Sequence, residues 1–326
     1  MKLSQVGELP LLEVLRKRFR KKAEGLVLGI GDDAAVITPK ENTLLTTDMM
    51  VEGVHFDLSW TTPFQLGFKL VSVNVSDIYA MGGEPHYILL GFSAPRDCTT
   101  TFFDLFFDGI AKALKTYGIS LIGGDISAAD RIVLSLTAVG TAGKIARRKG
   151  ARVGDRIYVT GTLGDAACGL ALLRTLKRPI DLDKRSHKGL PLSWDIIAPL
   201  IERHLMPVAR NPAGFVSKAT AMIDVSDGLL IDLSRICRES GVGARISAAD
   251  IPVSEEMKKT ASYLNVSYLS LALGGGEDYE LLFTAPPRAK VDAVCIGDIV
   301  RSGIRVMDER GKTINVSMRG YEHFSI

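Results

Sequence analysis

The stretch Leu26-Val27-Leu28-Gly29-Ile30-Gly31-Asp32-Asp33-Ala34 is a short apolar run that ends in the pattern G-x-G-x-x-A. This is a loose match to the glycine-rich turn of a dinucleotide site, in which a pyrophosphate rests on the amides that open a helix. Here, however, the turn carries two carboxylates where the pyrophosphate would lie, and like charges repel. Acids stand beside phosphate only with a divalent cation between them, so the stretch reads as a metal-phosphate site. No G-x-x-x-x-G-K-[ST] occurs anywhere in the chain, which excludes a P-loop.

Working outward, four more segments place an Asp at or just beyond an apolar stretch, among small or hydroxylated neighbours. They are Thr46-Thr47-Asp48, Asn74-Val75-Ser76-Asp77, Gly123-Gly124-Asp125 and Asp224-Val225-Ser226-Asp227-Gly228. Any one of them alone reads first as a helix cap or a turn residue. Five together read as a cluster of hard oxygen ligands, the kind that suits Mg²⁺ and not zinc or copper.

The surrounding pattern is mixed. Leu11, Leu15 and Phe19 mark one face of an opening helix, with the basic run 16–22 as its solvated side. Segments 26–30 and 43–47 read as strands that deliver acids at their ends, 63–80 and 101–117 as helices, and 87–93, 120–122 and 132–141 as strands. Apolar patterning lapses into basic residues and glycines over 144–154, which puts a domain boundary at 148–153. The second half repeats the mixture, with a strand at 155–160, a helix at 165–176, a polar insertion at 181–192, a strand at 219–223 and a helix at 228–240. Strands near 244–247, 279–284 and 292–300 follow, then a hairpin joining 305–308 to 313–316. The expected fold class is α+β, built as two mixed α/β domains, 1–150 and 151–326.

Composition removes several function classes. A formal charge of +3 over 326 residues is too slight for a protein whose main task is holding nucleic acid. Cys98, Cys168, Cys237 and Cys295 are scattered and form no CxxC pair, which argues against zinc or a disulfide framework and for a reducing cytoplasm. No apolar run approaches a membrane span and the N-terminus lacks a signal-peptide core, so the expectation is an unprocessed chain without a membrane partner. His55, His86, His187, His204 and His323 show no metal-ligand spacing, and no Gly-x-Ser-x-Gly elbow supports a serine nucleophile. Two glycine-bearing segments stay open between a ligand-facing and a plain turn reading: Gly161-Thr162-Leu163-Gly164-Asp165 and Gly274-Gly275-Gly276-Glu277-Asp278-Tyr279-Glu280.

Taken in order, GIGDDAAV (29–36), TTDMMVEGVHF (46–56), VNVSDIYAMGGEP (73–85), LIGGD (121–125), AMIDVSDGL (221–229), GGGEDYELLF (274–283) and GYEHF (320–324) resemble the thiamine-monophosphate kinase family. The resemblance covers about residues 5–324. It implies Mg²⁺ ligands at Asp33, Thr46, Thr47, Asp48, Asp77, Asp125, Asp224 and Asp227, with Asp33, Asp48, Asp77, Asp125 and Asp224 carrying the reaction. It further implies ATP contacts at Gly124, Asp125, Arg148, Ser226 and Phe107, for which Arg147 and Phe102, Phe103 and Phe106 are adjacent competitors. Thiamine monophosphate would meet His55, Glu277 and Tyr321. In the implied fold the N-terminal domain binds ATP and Mg²⁺ and dimerises through a β-barrel-like interface, and a C-terminal α/β sandwich domain completes the site of a homodimer.

The implied reaction is in-line transfer of the γ-phosphoryl group of ATP to thiamine monophosphate. A phosphomonoester is already an anion near neutral pH, so no strong general base is needed; the demand is to bring two polyanions together. One rival is another enzyme of the wider superfamily, acting on an acyl or amide intermediate of the purine pathway. The selenophosphate and hydrogenase-maturation relatives need a cysteine near one terminus, whereas the first cysteine here is Cys98 and the chain ends Ser325-Ile326. A second rival, a non-catalytic nucleotide-binding module, is opposed by retention of the whole acid set.

Overall fold

The structure is a computed structural model that describes residues 1–6, 8–19, 24–28, 35–39, 42–180, 182 and 192–315. The chain divides into two compact units. The first comprises Met1–Ile78, Gly83–Gly143 and Arg178–Ile180, and the second comprises Tyr79–Gly82, Lys144–Lys177 and Asp181–Ile326.

The first unit opens with helices α1 (Leu3–Val6) and α2 (Glu8–Arg18) and the ribbon β1 (Leu26–Leu28) and β2 (Val36–Ile37). Then come β3 (Thr43–Val51), α3 (Pro63–Ala80), β4 (Glu84–Ala94), α4 (Thr100–Tyr117), β5 (Ser120–Ala128) and β6 (Val133–Thr141). Four of these strands form one sheet in the order β3-β6-β4-β5. Strand alternation gives it two unlike faces. Ile88, Leu90 and Phe92 of β4 and Leu134, Leu136 and Ala138 of β6 are buried on one face, where Phe92 packs on Phe103, Phe106 and Phe107 of α4. On the other face Leu45 and Met49 are 71% and 56% exposed, while the β1–β2 ribbon packs over Tyr87 and Val139.

Helix α3 is started by a reciprocal cap. Gln65 donates its backbone N–H to Thr62 Oγ1 and accepts the Thr62 N–H on Oε1, with Pro63 at the first helical position. Helices α3 and α4 then cross on glycine: a Cβ at Gly67 would lie 2.1 Å from the Phe106 carbonyl oxygen, and one at Gly109 would lie 1.9 Å from that of Phe64. That close approach lets the two helix backbones nearly touch where they cross.

The second unit contains β7 (Arg156–Val159), α5 (Asp165–Leu176), α6 (Trp194–Leu205), β8 (Ala221–Asp224), α7 (Leu229–Ser240), β9 (Gly243–Ser247), α8 (Glu255–Tyr263), α9 (Tyr268–Gly274), β10 (Leu281–Ala285), β11 (Val294–Val300), β12 (Ile304–Met307) and β13 (Thr313–Ile314). Its seven described strands run β13-β12-β9-β11-β7-β10-β8, with β12 and β9 parallel and the other pairs antiparallel. Strand β10 is buried along its whole length. Phe283 is stacked between Tyr158 and Phe215 at centroid distances of 5.3 and 4.5 Å. Both units mix helix and sheet, as expected for the α+β class. The described strands of the first unit form an open sheet with β3 and β5 at its edges, not a closed barrel.

Candidate functional site

In the first unit the acids ride on regular structure. Strand β3 does not end before Asp48, as its apolar run suggested, but continues through it to Val51, because the register with β6 holds from Thr43↔Thr141 to Val51↔Val133. Asp125 likewise lies inside β5 and Asp77 in the last turn of α3. Thr46 and Asp48 share the helix-covered face of β3, about 7 Å apart along the strand. Thr46 Oγ1 donates to Asp77 Oδ2 at 2.5 Å, so sheet and helix bring these residues to one neighbourhood. His55 sits in the turn after β3, its Nδ1 accepting the Val51 N–H at 3.1 Å.

Thr47 and Asp125 belong to the other face. Thr47 donates to the Leu136 carbonyl and accepts from Thr137 Oγ1. Asp125 is in register with Gly91 and Ser135, one row along from the row Asp48, Leu136, Leu90 and Gly124. Strands β6 and β4 intervene, so Asp48 and Asp125 stand about 14 Å apart across the sheet. Beside Gly124 and Asp125 a pocket is lined by Leu12, Leu15, Leu90, Phe92, Phe107 and Leu121. Phe107 is thus both core and pocket wall; Phe103 and Phe106 are buried beside it without reaching that lining.

In the second unit the acids ride on turns. Asp224 is buried at the end of β8, and the chain then turns through Ser226, Asp227 and Gly228 into α7. The backbone N–H groups of these three residues all donate to Asp232 Oδ2, at 3.2, 3.1 and 3.2 Å. Arg235 Nη1 lies 2.5 Å from Asp232 Oδ1 and 2.7 Å from Asp227 Oδ2. Burial pushes the Asp232 carboxyl up to about 6, although Arg235 and the amides favour its charged form.

Segment 274–280 lies along this turn. Glu277 N–H donates to Ser226 O, Tyr279 N–H to Val225 O and Val225 N–H to Glu280 O. Glu277 and Tyr279 take positive φ, 67° and 51°, a costly region for residues with a side chain. The glycines here approach the chain's own backbone: a Cβ at Gly276 would lie 2.4 Å from Ser226 O. Alternate side chains go separate ways. Glu277 is partly exposed, with Oε2 3.0 Å from His204 Nδ1. Asp278 is fully buried and accepts the N–H groups of Gly164 and Ala166 at 2.6 and 3.0 Å. Glu280, also fully buried, accepts from Arg203, Arg210 and Thr160. Burial pushes Asp278 up to about 7. Its carboxyl occupies amides at the start of α5, so Gly161–Asp165 is a structural turn and not a phosphate cradle. Arg148 is exposed, and its carbonyl accepts from Ser240 Oγ.

Asp232, Arg235, Asp278 and Glu280 escaped the motif reading as supports, since no sequence spacing shows which amide a distant carboxylate reaches. The one signal for Asp232 is an acid inside the apolar run Leu229-Leu230-Ile231-Asp232-Leu233. Asp33 and Tyr321 lie outside the described residues. Among the described residues no three His, Cys, Asp or Glu side chains converge on a single metal position. The donor chemistry nevertheless fits Mg²⁺: Thr46, Asp48 and Asp77 in one unit and Asp224 and Asp227 in the other offer only hard oxygen. Mg²⁺ is usually held by one or two carboxylates, with phosphate and water completing its octahedron, and not by an all-protein cage.

Residues 31–142 match the AIR synthase related protein, N-terminal domain, and 152–296 match the AIR synthase related protein, C-terminal domain. The thiamine-monophosphate kinase of Aquifex aeolicus is 36% identical over 99% of this chain and 100% of its own length. The chain belongs to the thiamine-monophosphate kinase family. The crystal structure of the Stenotrophomonas maltophilia enzyme covers 92% of this chain and 96% of its own at 34% identity, with a TM-score of 0.79. A second family structure, AaThiL complexed with AMPPCP and TMP, covers 99% of both chains at 34% identity and a TM-score of 0.76. Family membership thus reaches both units, the strand-borne acids and the turn-borne ones alike.

Proposed function

We propose that this chain transfers the γ-phosphoryl group of ATP to the phosphate of thiamine monophosphate, yielding thiamine diphosphate and ADP. The observation that carries this reading is the end-to-end similarity to a family member solved with AMPPCP and TMP. The all-oxygen donor set supports it.

Thr46, Asp48 and Asp77 in one unit and Asp224 and Asp227 in the other would hold Mg²⁺, with Thr46 also orienting Asp77. The family pattern adds Asp33, and adds Thr47 and Asp125 from the opposite face of the first unit's sheet, where they would serve a position apart from that of Asp48. Mg²⁺ neutralises phosphate charge and stabilises its spread over the transferred group. Gly124, Asp125, Ser226, Arg148 and the Phe107 wall serve the nucleotide. His55, Glu277 and Tyr321 serve the acceptor, Glu277 as an anion toward the cationic thiazolium. With the acceptor already anionic, the side chains have to align and screen two polyanions in line and need not remove a proton.

The exposed Leu45 and Met49 on the open face of the first unit's sheet favour a homodimer joined through that face, with residues 1–150 as the nucleotide and dimerisation domain and 151–326 completing the site. Burial pushes the Cys168 thiol up to about 12 and the Cys237 thiol to about 11, so both stay protonated, and four scattered cysteines without a CxxC pair suit a reducing cytoplasm. Among the described residues no helix is long and apolar enough to cross a membrane. Incubation of the purified chain with MgATP and thiamine monophosphate should give thiamine diphosphate and ADP in equal amounts by chromatography. Turnover of a purine-pathway acceptor instead would replace this reading.

A further inference from the structure

Helix α7 is capped backwards. An ordinary N-cap side chain sits before its helix and reaches forward to the amides of the first turn. Asp232 is the fourth residue of α7 and reaches back, and its single Oδ2 gathers the N–H groups of Ser226, Asp227 and Gly228. It is completely buried. Its other oxygen is held by Arg235, whose same Nη1 also binds Asp227 Oδ2. One carboxylate therefore constrains the backbone of three successive residues, and one guanidinium ties that carboxylate to the side chain of the middle one. A cap for helix stability alone would need one or two of those amides and would not need Asp227.

We propose that Asp232 and Arg235 are positioning residues that set the affinity for magnesium nucleotide by freezing the Ser226-Asp227-Gly228 turn before ligand arrives. The proposal rests on the assignment of Ser226 and Asp227 to nucleotide and cation. Asp232 holds the backbone of the turn, and Arg235 engages Asp227 through Oδ2, which leaves Oδ1 as the oxygen offered to a cation. Ordering the turn in advance removes an entropic cost that binding would otherwise meet. Losing the order should weaken binding of MgATP most, with a smaller effect on the acceptor, whose candidate contact Glu277 is tied to the turn through its N–H on Ser226 O.

Arg235→Lys keeps the positive charge beside buried Asp232 and removes the rigid planar guanidinium whose Nη1 bridges the two carboxylates. MgATP binding by titration calorimetry should weaken roughly tenfold, with KM for ATP rising in parallel. KM for thiamine monophosphate should stay within about twofold, and the melting temperature of the unliganded protein should hardly move. Asp232→Asn should weaken MgATP binding further, and if it does not fold, Arg235→Lys decides. In an Asp227→Asn background the Arg235→Lys effect should shrink, because Arg235 acts through Asp227. Wild-type affinity for MgATP in Arg235→Lys would overturn the proposal, as would a joint shift of both KM values with the melting temperature, the mark of a plain helix cap. If the wild-type protein itself bound no MgATP, the assignment of Ser226 and Asp227 would fall first.

Discussion

The two units position their carboxylates by opposite means. In the first, Asp48, Asp77 and Asp125 project from two edge strands and a helix, where regular backbone pairing fixes their positions. Support for them costs little beyond a threonine hydroxyl. In the second, Asp224 closes the β8–β10 ladder, Ser226 and Asp227 lie on the turn beyond it, and buried Asp232 and Asp278 take up the amides of the turns around them. The difference teaches that in the first unit function and stability are separable, whereas in the second the same buried groups serve both.

The largest expected effect tests the first half of that statement. Asp77→Asn keeps the size of the side chain and removes its charge, so turnover should fall by about 10²- to 10³-fold while the circular dichroism melt stays near that of the parent. Asp224→Asn should lose as much activity but also shift the melt, since Asp224 is buried at the end of β8. Equal thermal shifts in the two variants would erase the contrast between the units.

Next is a matched pair of helix caps. Thr99 caps α4 locally by accepting the Phe102 N–H at 3.1 Å, and Asp278 caps α5 from more than a hundred residues away in sequence. Thr99→Ala should cost about 1 kcal/mol. Asp278→Ala strands two buried amides and should cost about 2–4 kcal/mol, read from urea unfolding.

A smaller effect should appear with pH. The Asp278 carboxyl, ordinarily near 3.8, is raised by burial to about 7 in the folded protein. Between those values the unfolded chain has already lost this proton and the folded chain still holds it, so unfolding releases a proton and stability falls as pH rises. Asp232, raised to about 6, acts in the same direction over the lower part of the range. Melting temperature should therefore decline from about pH 5 to about pH 7, and Asp278→Asn should flatten the decline. The smallest expected effect is that of Thr46→Val, which removes the hydroxyl that orients Asp77. It should cost about 0.5–1.5 kcal/mol of transition-state stabilisation, seen as a severalfold drop in kcat/KM at unchanged melting temperature.

Much of the fold was legible in the residues because local signals agreed with the tertiary outcome. The Thr-Pro-x-Gln start at 62–65 is a complete cap within four residues, and the apolar period of 63–80 is that of a helix. Strand ends were less legible. The run before Asp48 was expected to stop at the acid, yet the ladder with β6 carries it on to Val51, because an edge strand tolerates a polar residue that a side-chain pattern reads as a terminus. The acids themselves stood out by type and neighbours, and the motifs around them placed the chain in its family. Which of them meet was not written locally: Thr46 touches Asp77, while Asp125 falls on the opposite face from Asp48, a division set by strand register.

By itself, then, the sequence determined most of the element order, though not helices α6, α8 and α9, together with the hard-oxygen residue types and the family. Those follow from periodicity, residue type and short motifs, each confined to a few neighbouring residues. Only the tertiary structure decided that Gly164 and Ala166 give their amides to Asp278 and not to a ligand, that Asp232 and Arg235 lock the turn bearing Asp227, and that Glu280 is enclosed by two arginines. Each of these is a buried charge or amide, and its partner is chosen by proximity in the folded chain. Burial makes an unpaired polar group costly, so the choice is strongly enforced, but it is enforced at distances in sequence that no local pattern can encode.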